Sequence, residues 1–147
     1  MSEDRKVAII TGSSQGLGAA IAKKLSERNV NTVINYSSNE DLANHTMKEC
    51  IKNGVNAITV KANVSSDDDC KKLVKKTIDA FGRVDILVNN AGTTKFADHT
   101  KLEKLSDEDF INIYKVNVIG PYQMIRAVEP FMKKNGFGSV VNISSIA

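Results

Sequence analysis

The chain has 147 residues, of which 41% are hydrophobic and 25% are charged, and its formal net charge is +3. This composition is typical of one soluble globular domain. The 20 Lys and Arg residues are dispersed and form no basic block, which argues against a nucleic-acid-binding surface, so that alternative rests on the excess of basic residues alone.

The N-terminus and the two cysteines indicate a cellular compartment. The first ten residues open with acidic residues and contain an apolar run of only four, and such a run is too short for a signal peptide or a membrane span. We therefore expect a cytoplasmic protein that does not enter a membrane. Cys50 and Cys70 form no metal-binding or redox spacing and lie on the apolar side of helical patterns, which predicts buried free thiols.

Five short apolar runs rich in β-branched residues predict strands that are buried on both faces, as in parallel sheets. They span residues 7–10, 32–35, 57–60, 86–89 and 139–143, with helical patterns between them. Because parallel strands need crossover connections, this alternation predicts an α/β fold with a doubly wound parallel sheet. Ligands bind to such sheets beyond the carboxyl ends of the strands.

Two clusters of serine and aspartate indicate helix starts. In SDDD, residues 66–69, and SDED, residues 106–109, a carboxylate follows the serine by three positions. The serine caps the helix, and the acids lie where the helix dipole favours negative charge. We interpret the three aspartates of 67–69 as a first helical turn and assign no metal ligands.

The sequence TGSSQGLG, residues 11–18, follows the first predicted strand and leads directly into a helical pattern. Glycines let the backbone turn tightly and approach a pyrophosphate, and a helix N-terminus offers unpaired N–H groups. A glycine-rich turn without a ligand is the alternative. The contact residues that we predict are Gly12, Ser14, Gln15, Gly16, Leu17 and Gly18.

The end of the second strand bears on the choice between NAD(H) and NADP(H). An NAD-preferring site places an acidic residue there to bind the ribose hydroxyls. Tyr36, Ser37 and Ser38 stand at this point instead, and a serine hydroxyl could donate to a 2′-phosphate. We predict contacts from these three residues and favour NADP(H), although the loop contains no Arg or Lys.

The loops after the third and fourth strands offer further contacts. Asn63 and Val64 follow the third strand, where they could touch an adenine ring, but Asn63 could equally be a turn residue. In NNAG, residues 89–92, two amides could brace neighbouring strand ends and leave room for a nicotinamide ribose. The predicted contact residues of this loop are Asn90, Ala91 and Gly92.

The longest helical pattern runs from residue 107 to about residue 134 and carries one polar residue, Asn117, on its apolar stripe. Pro121 lacks the N–H that would bond the carbonyl of Asn117, so the helix should kink and release that carbonyl. The released group could hold either a trapped water or a water in a proton path. The residues that we predict on this one face of the helix are Phe110, Ile113, Tyr114, Asn117, Met124 and Val128.

Four motifs, TGSSQGLG, NNAG, VNVIGPY and VVNISS, stand in the order and spacing of the short-chain dehydrogenase/reductase family, which the chain resembles over its whole length. Within that family it most resembles the 3-oxoacyl-acyl-carrier-protein reductases and their glucose-dehydrogenase-like relatives. The resemblance implies a Rossmann fold and hydride transfer between NADP(H) or NAD(H) and a carbonyl or alcohol substrate. It also implies a homotetramer, an expectation for the parent protein.

The resemblance assigns two catalytic residues in this chain. Ser145 would orient the substrate carbonyl, and Asn117 would hold a relay water. The family's proton-transferring tyrosine and the lysine that lowers its pKa would come after Ser145, but the chain ends two residues later. We therefore expect residues 1–147 to be one dinucleotide-binding domain, incomplete at its C-terminus and inactive alone. The alternative is a naturally short, non-catalytic NAD(P)-binding sensor or scaffold protein.

Overall fold

The computed structural model describes residues 5–145, in which five parallel strands form one sheet in the order β3-β2-β1-β4-β5. All five predicted strands are confirmed to within one residue at either end. The strand order reverses between β1 and β4. From β1 the chain continues to β2 and β3 on one side of the sheet, and from β4 it continues to β5 on the other, as in a doubly wound fold. The strands are β1 Val7–Ile10, β2 Asn31–Tyr36, β3 Ala57–Lys61, β4 Ile86–Asn89 and β5 Ser139–Asn142.

Helices connect the strands and cover both faces of the sheet. The last three helical segments follow one another without a break and together form the long predicted helix. The segments are α1 Gly16–Glu27, α2 Glu40–Ile51, α3 Asp67–Phe81, a 3-10 turn at Leu102–Lys104, α4 Asp107–Tyr114, a π-helical turn at Lys115–Ile119 and α5 Gly120–Asn135.

The side chains of β1 alternate between two hydrophobic cores. Val7 and Ile9 pack in the core on the α3 and α5 side, whereas Ala8 and Ile10 pack in the core on the α1 and α2 side. All four are buried, which is why this strand reads as a continuous apolar run and not as an alternating one.

Two predictions about burial are wrong. β5 is not buried on both faces, because it pairs with β4 alone and forms the edge of the described sheet; Val140 and Val141 are 40% and 45% exposed. The long helix does not bury a single stripe either. Phe110 is 64% exposed whereas Met124 is fully buried against α3, because the π-helical turn interrupts the α-helical period between them.

The predicted caps and thiols are confirmed. Ser66 Oγ accepts a hydrogen bond from the Asp69 N–H at 3.3 Å, and Ser106 and Asp109 form a reciprocal capping box. Cys50 and Cys70 are both buried and free. Burial, together with nearby carboxylates of α3, raises the pKa of the Cys70 thiol to about 11, which keeps it protonated and unreactive at neutral pH.

A buried carboxylate lies at the end of the sheet where the strands begin. Asp85 is fully buried; it accepts a hydrogen bond from the Val7 N–H at 2.9 Å and two from the Arg83 guanidinium at 2.8 and 2.9 Å. A bidentate guanidinium with an added backbone donor satisfies a buried carboxylate well. This contact lies at the amino ends of the strands, whereas the glycine-rich loop lies at their carboxyl ends.

Candidate functional site

A cavity of about 610 Å³ lies at the carboxyl ends of β1 to β4. Its wall is built by the loops that follow these four strands and by the start of the long helix. Most of the predicted cofactor contacts lie in it: Gly12, Ser14, Gln15, Tyr36, Ser37, Ser38, Asn63, Val64, Asn90, Ala91 and Gly92. Sequence reasoning missed the rest of the wall, which is Asn35, Asn39, Leu42, Ala62, Thr93, Asn112 and Val116.

The glycine-rich loop follows a path that side chains would block. Gly12 has φ +60°, and a Cβ built on it would lie 2.8 Å from the Ala91 Cα. A Cβ on Gly18 would lie 2.6 Å from the Gly12 carbonyl oxygen. Both positions therefore require glycine, the first for its left-handed backbone and for space, the second for space alone.

This loop presents a row of unpaired backbone donors. The Gly12 and Ser13 N–H groups donate to Asn35, and the first helical bond of α1 runs from the Ala19 N–H to the Gln15 carbonyl at 3.3 Å. Between them, the N–H groups of residues 14–18 have no acceptor within residues 5–145. A row of unpaired N–H groups at a helix N-terminus is suited to an anion such as a phosphate.

Three predicted loop residues lie outside the cavity wall. Gly16 and Leu17 are exposed in the first turn of α1, and Gly18 is buried beneath the loop. The side chain of Leu17 is 58% exposed, so it does not pack in the core. What these three residues offer a ligand is their backbone, not their side chains.

The NNAG segment braces the glycine-rich loop from the neighbouring strand. Thr11 Oγ1 accepts hydrogen bonds from the N–H groups of Asn90 and Ala91, each at 3.0 Å. Asn90 Nδ2 in turn donates to the carbonyls of Thr11 and Gly12. One residue earlier, Asn89 Nδ2 donates to Asn142 Oδ1 on β5 at 2.9 Å. The bracing of strand ends that the two amides predicted is therefore present.

The end of β2 is more acidic than its sequence suggests. Tyr36 is buried in the wall, while Ser37 and Ser38 are exposed there. Burial of the ring and the nearby Glu40 carboxylate raise the pKa of the Tyr36 hydroxyl. Sequence reasoning found no acid at this strand end, but the first turn of α2 brings Glu40 back towards it.

The loop after β3 is held by its own hydrogen bonds and by α5. Asn63 Oδ1 accepts from the Ser65 N–H at 3.0 Å and from its hydroxyl at 2.9 Å, which is a turn role. Val64 is buried, and its carbonyl accepts from Gln123 Nε2 at 2.8 Å. Both residues also border the cavity, so a turn role and an adenine contact are compatible.

Asn117 clamps the long helix to the segment that follows NNAG. Its Oδ1 accepts from the Thr93 N–H and its Nδ2 donates to the Thr93 carbonyl, both at 2.8 Å. The predicted place of Asn117 on an apolar stripe that faces the core is wrong, because this residue lies exposed in the π-helical turn. π-helical turns occur frequently at functional sites, and this one stands where the sequence predicted an irregular helix.

The remaining candidates lie outside the cavity wall. Ser145 is exposed beyond the end of β5, and the exposed Asn117 does not line the cavity either. Asp67 forms ion pairs with Lys71 at 2.6 Å and with Arg126 at 2.5 Å, and these contacts lower the pKa of its carboxyl. The first aspartate of the triple cluster therefore ties α3 to α5.

The strand order and the glycine-rich turn define the class of this protein, an α/β protein with the Rossmann fold. Residues 6–147 match the family described as short chain dehydrogenase. The chain belongs to the short-chain dehydrogenase/reductase family. Within residues 5–145, no helix has the length and apolar character needed to cross a bilayer.

Curated relatives include two 3-oxoacyl-[acyl-carrier-protein] reductases. The protein from Synechocystis sp. is 38% identical over 142 residues, which are 97% of this chain and 56% of the relative. The protein from Staphylococcus epidermidis is 34% identical over 141 residues, which are 96% of this chain and 57% of the relative. The chain thus spans little more than half the length of these relatives.

Two solved structures share the fold closely. A protein from Burkholderia xenovorans described as a short-chain dehydrogenase/reductase has a TM-score of 0.93 and 33% identity, over 97% of this chain and 60% of that one. A metagenomic short-chain oxidoreductase in complex with NADP has a TM-score of 0.88 and 32% identity, over 97% of this chain and 63% of that one.

Proposed function

We propose that this chain is the cofactor-binding part of an NADP(H)-dependent oxidoreductase that transfers a hydride between nicotinamide and a carbonyl or alcohol substrate. The observation that carries the proposal is the row of unpaired N–H groups of residues 14–18 at the border of a 610 Å³ cavity. Membership of the short-chain dehydrogenase/reductase family supports it.

The cavity wall divides into regions with different chemistry. The backbone of residues 14–18 would hold the pyrophosphate, because its unpaired N–H groups and the dipole of α1 favour negative charge. Asn63 and Val64 would border the adenine. Residues 90–92 would border the nicotinamide ribose, since they lie beyond β4 beside the glycine-rich loop. NADP(H), when bound, supplies or accepts the hydride.

The preference for NADP(H) rests on the end of β2. The hydroxyls of Ser37 and Ser38 are exposed in the wall and would donate to a 2′-phosphate. A related solved structure contains NADP. The carboxylate of Glu40 opposes this preference through its negative charge, so we expect NADP(H) to bind more tightly than NAD(H) by a modest factor.

Catalysis would involve Asn117 and Ser145. We propose that the carbonyl of Asn117 holds a relay water, since a π-helical turn and the nearby Pro121 disturb the helical hydrogen bonds there. Ser145 would orient the substrate carbonyl. The proton donor would be a tyrosine assisted by a lysine, both after Ala147, so residues 1–147 would form an incomplete domain. The whole protein would be a cytoplasmic homotetramer.

The substrate that we propose is a 3-oxoacyl thioester on an acyl carrier protein. The support is that curated relatives of this chain, at 34% and 38% identity, are named as reductases of that substrate. The test is NADPH oxidation by the full-length protein with a 3-oxoacyl thioester. If only unrelated carbonyl compounds are reduced, this substrate is wrong and the oxidoreductase assignment stands.

Cofactor binding is tested directly by titration of the protein with NADP⁺ and NAD⁺ in a calorimeter. The chain contains three tyrosines and no tryptophan, so quenching of tyrosine emission by NADPH is an independent readout. We expect saturable binding of both cofactors, tighter for NADP⁺. Absence of saturable binding of either cofactor would refute the proposed function.

A further inference from the structure

Asn35 lies where the glycine-rich loop meets two strand ends, and all of its polar groups are bonded. Its Oδ1 accepts from the Gly12 N–H at 3.0 Å, and its Nδ2 donates to the carbonyls of Val60 and Ala62 at 3.2 and 3.0 Å. The residue is 2% exposed. One buried side chain therefore connects the loop after β1 to the end of β3.

The backbone of Asn35 adds a second set of bonds to the same loop. Its carbonyl accepts from the Ser13 N–H at 2.9 Å, and its N–H donates to Ser13 Oγ at 3.1 Å. Ser13 Oγ donates in turn to the Ile10 carbonyl at 2.6 Å. Loop and strand are thus bonded at two consecutive positions, Gly12 and Ser13.

These bonds determine which loop donors are available to a ligand. Asn35 occupies the N–H groups of Gly12 and Ser13, and the unpaired row begins at the next residue, Ser14. Because Gly12 has φ +60°, its peptide would have other orientations open to it without the Asn35 acceptor. A loop held in its binding conformation before a ligand arrives gives a higher affinity.

We propose that Asn35 is a positioning residue for the pyrophosphate, acting through the glycine-rich loop. The inference rests on the proposed function, because it concerns binding of a dinucleotide at that loop. Its side chain aligns the donors of residues 14–18 by fixing the Gly12 peptide against β2 and β3. The amide matches this task because it accepts from one segment while it donates to another.

The same strand offers a matched control at its other end. Asn31 begins β2, is 7% exposed, and its Oδ1 accepts from the Asn56 N–H at 3.0 Å. Like Asn35, it is a buried asparagine that holds a neighbouring backbone group. It lies at the amino ends of the strands, away from the cavity. Asn31→Ala therefore reports the stability cost of losing such an amide.

The experiment compares Asn35→Ala, Asn31→Ala and wild type by calorimetric titration with NADP⁺ and with adenosine 2′-monophosphate, which has no pyrophosphate. Circular dichroism fixes a temperature at which each variant is folded. We expect Asn35→Ala to weaken NADP⁺ binding about tenfold, as for one lost hydrogen-bonded contact. Adenosine 2′-monophosphate should bind as in wild type, and Asn31→Ala should bind both ligands normally.

Ser13→Ala is the second variant, and it decides the outcome if Asn35→Ala does not fold. It removes the hydroxyl that accepts from the Asn35 N–H and donates to the Ile10 carbonyl. This loosens the loop at the position next to Gly12, and we expect the same selective loss of NADP⁺ affinity. If adenosine 2′-monophosphate does not bind wild type, the NADP⁺ affinities of the Asn35 and Asn31 variants decide alone.

Two results would overturn the inference in distinguishable ways. In the first, wild type binds NADP⁺, and Asn35→Ala (or Ser13→Ala, if Asn35→Ala does not fold) binds it as tightly as wild type or as tightly as Asn31→Ala. Asn35 would then be a structural residue, and the proposed function would stand. If wild type does not bind NADP⁺, the proposed function fails and the inference fails with it.

Discussion

Thr11 and Asn90 each bond the backbone of the other across the point where the strand order reverses. Thr11 Oγ1 accepts from the Asn90 N–H at 3.0 Å, and Asn90 Nδ2 donates to the Thr11 carbonyl at 3.1 Å. The two residues follow β1 and β4, which are neighbours in the sheet. The cavity wall therefore has a rigid base formed by side chains that need not touch a ligand.

Thr11→Val should destabilise the protein, because valine keeps the shape of threonine and removes its oxygen. The N–H groups of Asn90 and Ala91 would lose their acceptor, at a cost of about 1–3 kcal/mol. Urea unfolding measures the change. Thr32→Val is the control, since Thr32 Oγ1 is buried with no hydrogen-bond partner in the described part of the chain. It should be neutral or stabilising, and equal effects of the two variants would contradict the assignment.

Gly12→Ala should abolish cofactor binding and lower the Tm. Its Cβ would lie 2.8 Å from the Ala91 Cα, in addition to the strain of a positive φ. Gly54→Ala is the control, because Gly54 has φ +82° with nothing within 4 Å of an added Cβ. That variant should lose about 1–2 kcal/mol from the left-handed backbone alone and bind NADP⁺ normally. Normal binding by Gly12→Ala would exclude a close approach of the cofactor to this loop.

Cofactor preference should respond to charge at the end of β2. Glu40→Gln removes the carboxylate nearest to Tyr36, so the ratio of the NAD⁺ and NADP⁺ dissociation constants should rise about threefold to tenfold. The double change Ser37→Ala and Ser38→Ala should lower it. Asp41→Asn, in the same helical turn, is the control for charge. An equal shift in that variant would mean that the effect is not local.

Stability should fall in acid as Asp109 is protonated. The Lys95 ammonium, followed by the Ser106 backbone N–H, lowers the pKa of Asp109 from 3.8 to about 2. A group with a lowered folded-state pKa stabilises the fold above its unfolded pKa, and this contribution is lost as the pH falls from about 4 to 2. Measurement of Tm against pH should show a smaller acid decrease in Asp109→Asn.

Lys95→Met tests the cause of that shift. It removes the 2.7 Å ion pair with Asp109, so the pKa of Asp109, followed by NMR, should move back towards its ordinary value. Lys101→Met is the control, since no ion pair of Lys101 occurs among residues 5–145. If the two variants leave the same pKa, Lys95 is not its cause.

Local patterns were enough to predict the strands and the glycine-rich loop, because β-branched runs and glycine spacing report backbone geometry directly. Contacts made by tertiary structure were not predictable in this way. Asn35 reads as the polar end of an apolar strand, and the two segments that its side chain bonds are far apart in the sequence. Glu40 reads as the start of a helix, and only the fold brings it to Tyr36.

The exposure of β5 was misjudged for a related reason. An apolar run predicts burial on two faces, but the run alone does not tell which strand is at the edge of the described sheet. Val140 and Val141 therefore read like the buried residues of β1, although they pair on one side only.

The π-helical turn gives the long helix two rotational phases. Such a turn accommodates about one residue more than an α-helical turn, and each residue of an α-helix advances by about 100°. Side chains of α4 are therefore rotated by about a quarter turn relative to those of α5, which places Phe110 away from α3 and Met124 against it. Deleting one residue within Lys115–Ile119 would let α4 and α5 join as one continuous α-helix with Phe110 and Met124 in nearly this relative orientation, because the wider turn absorbs the extra residue. What the turn itself supplies is therefore the irregular backbone at Asn117, whose side chain bonds the Thr93 backbone.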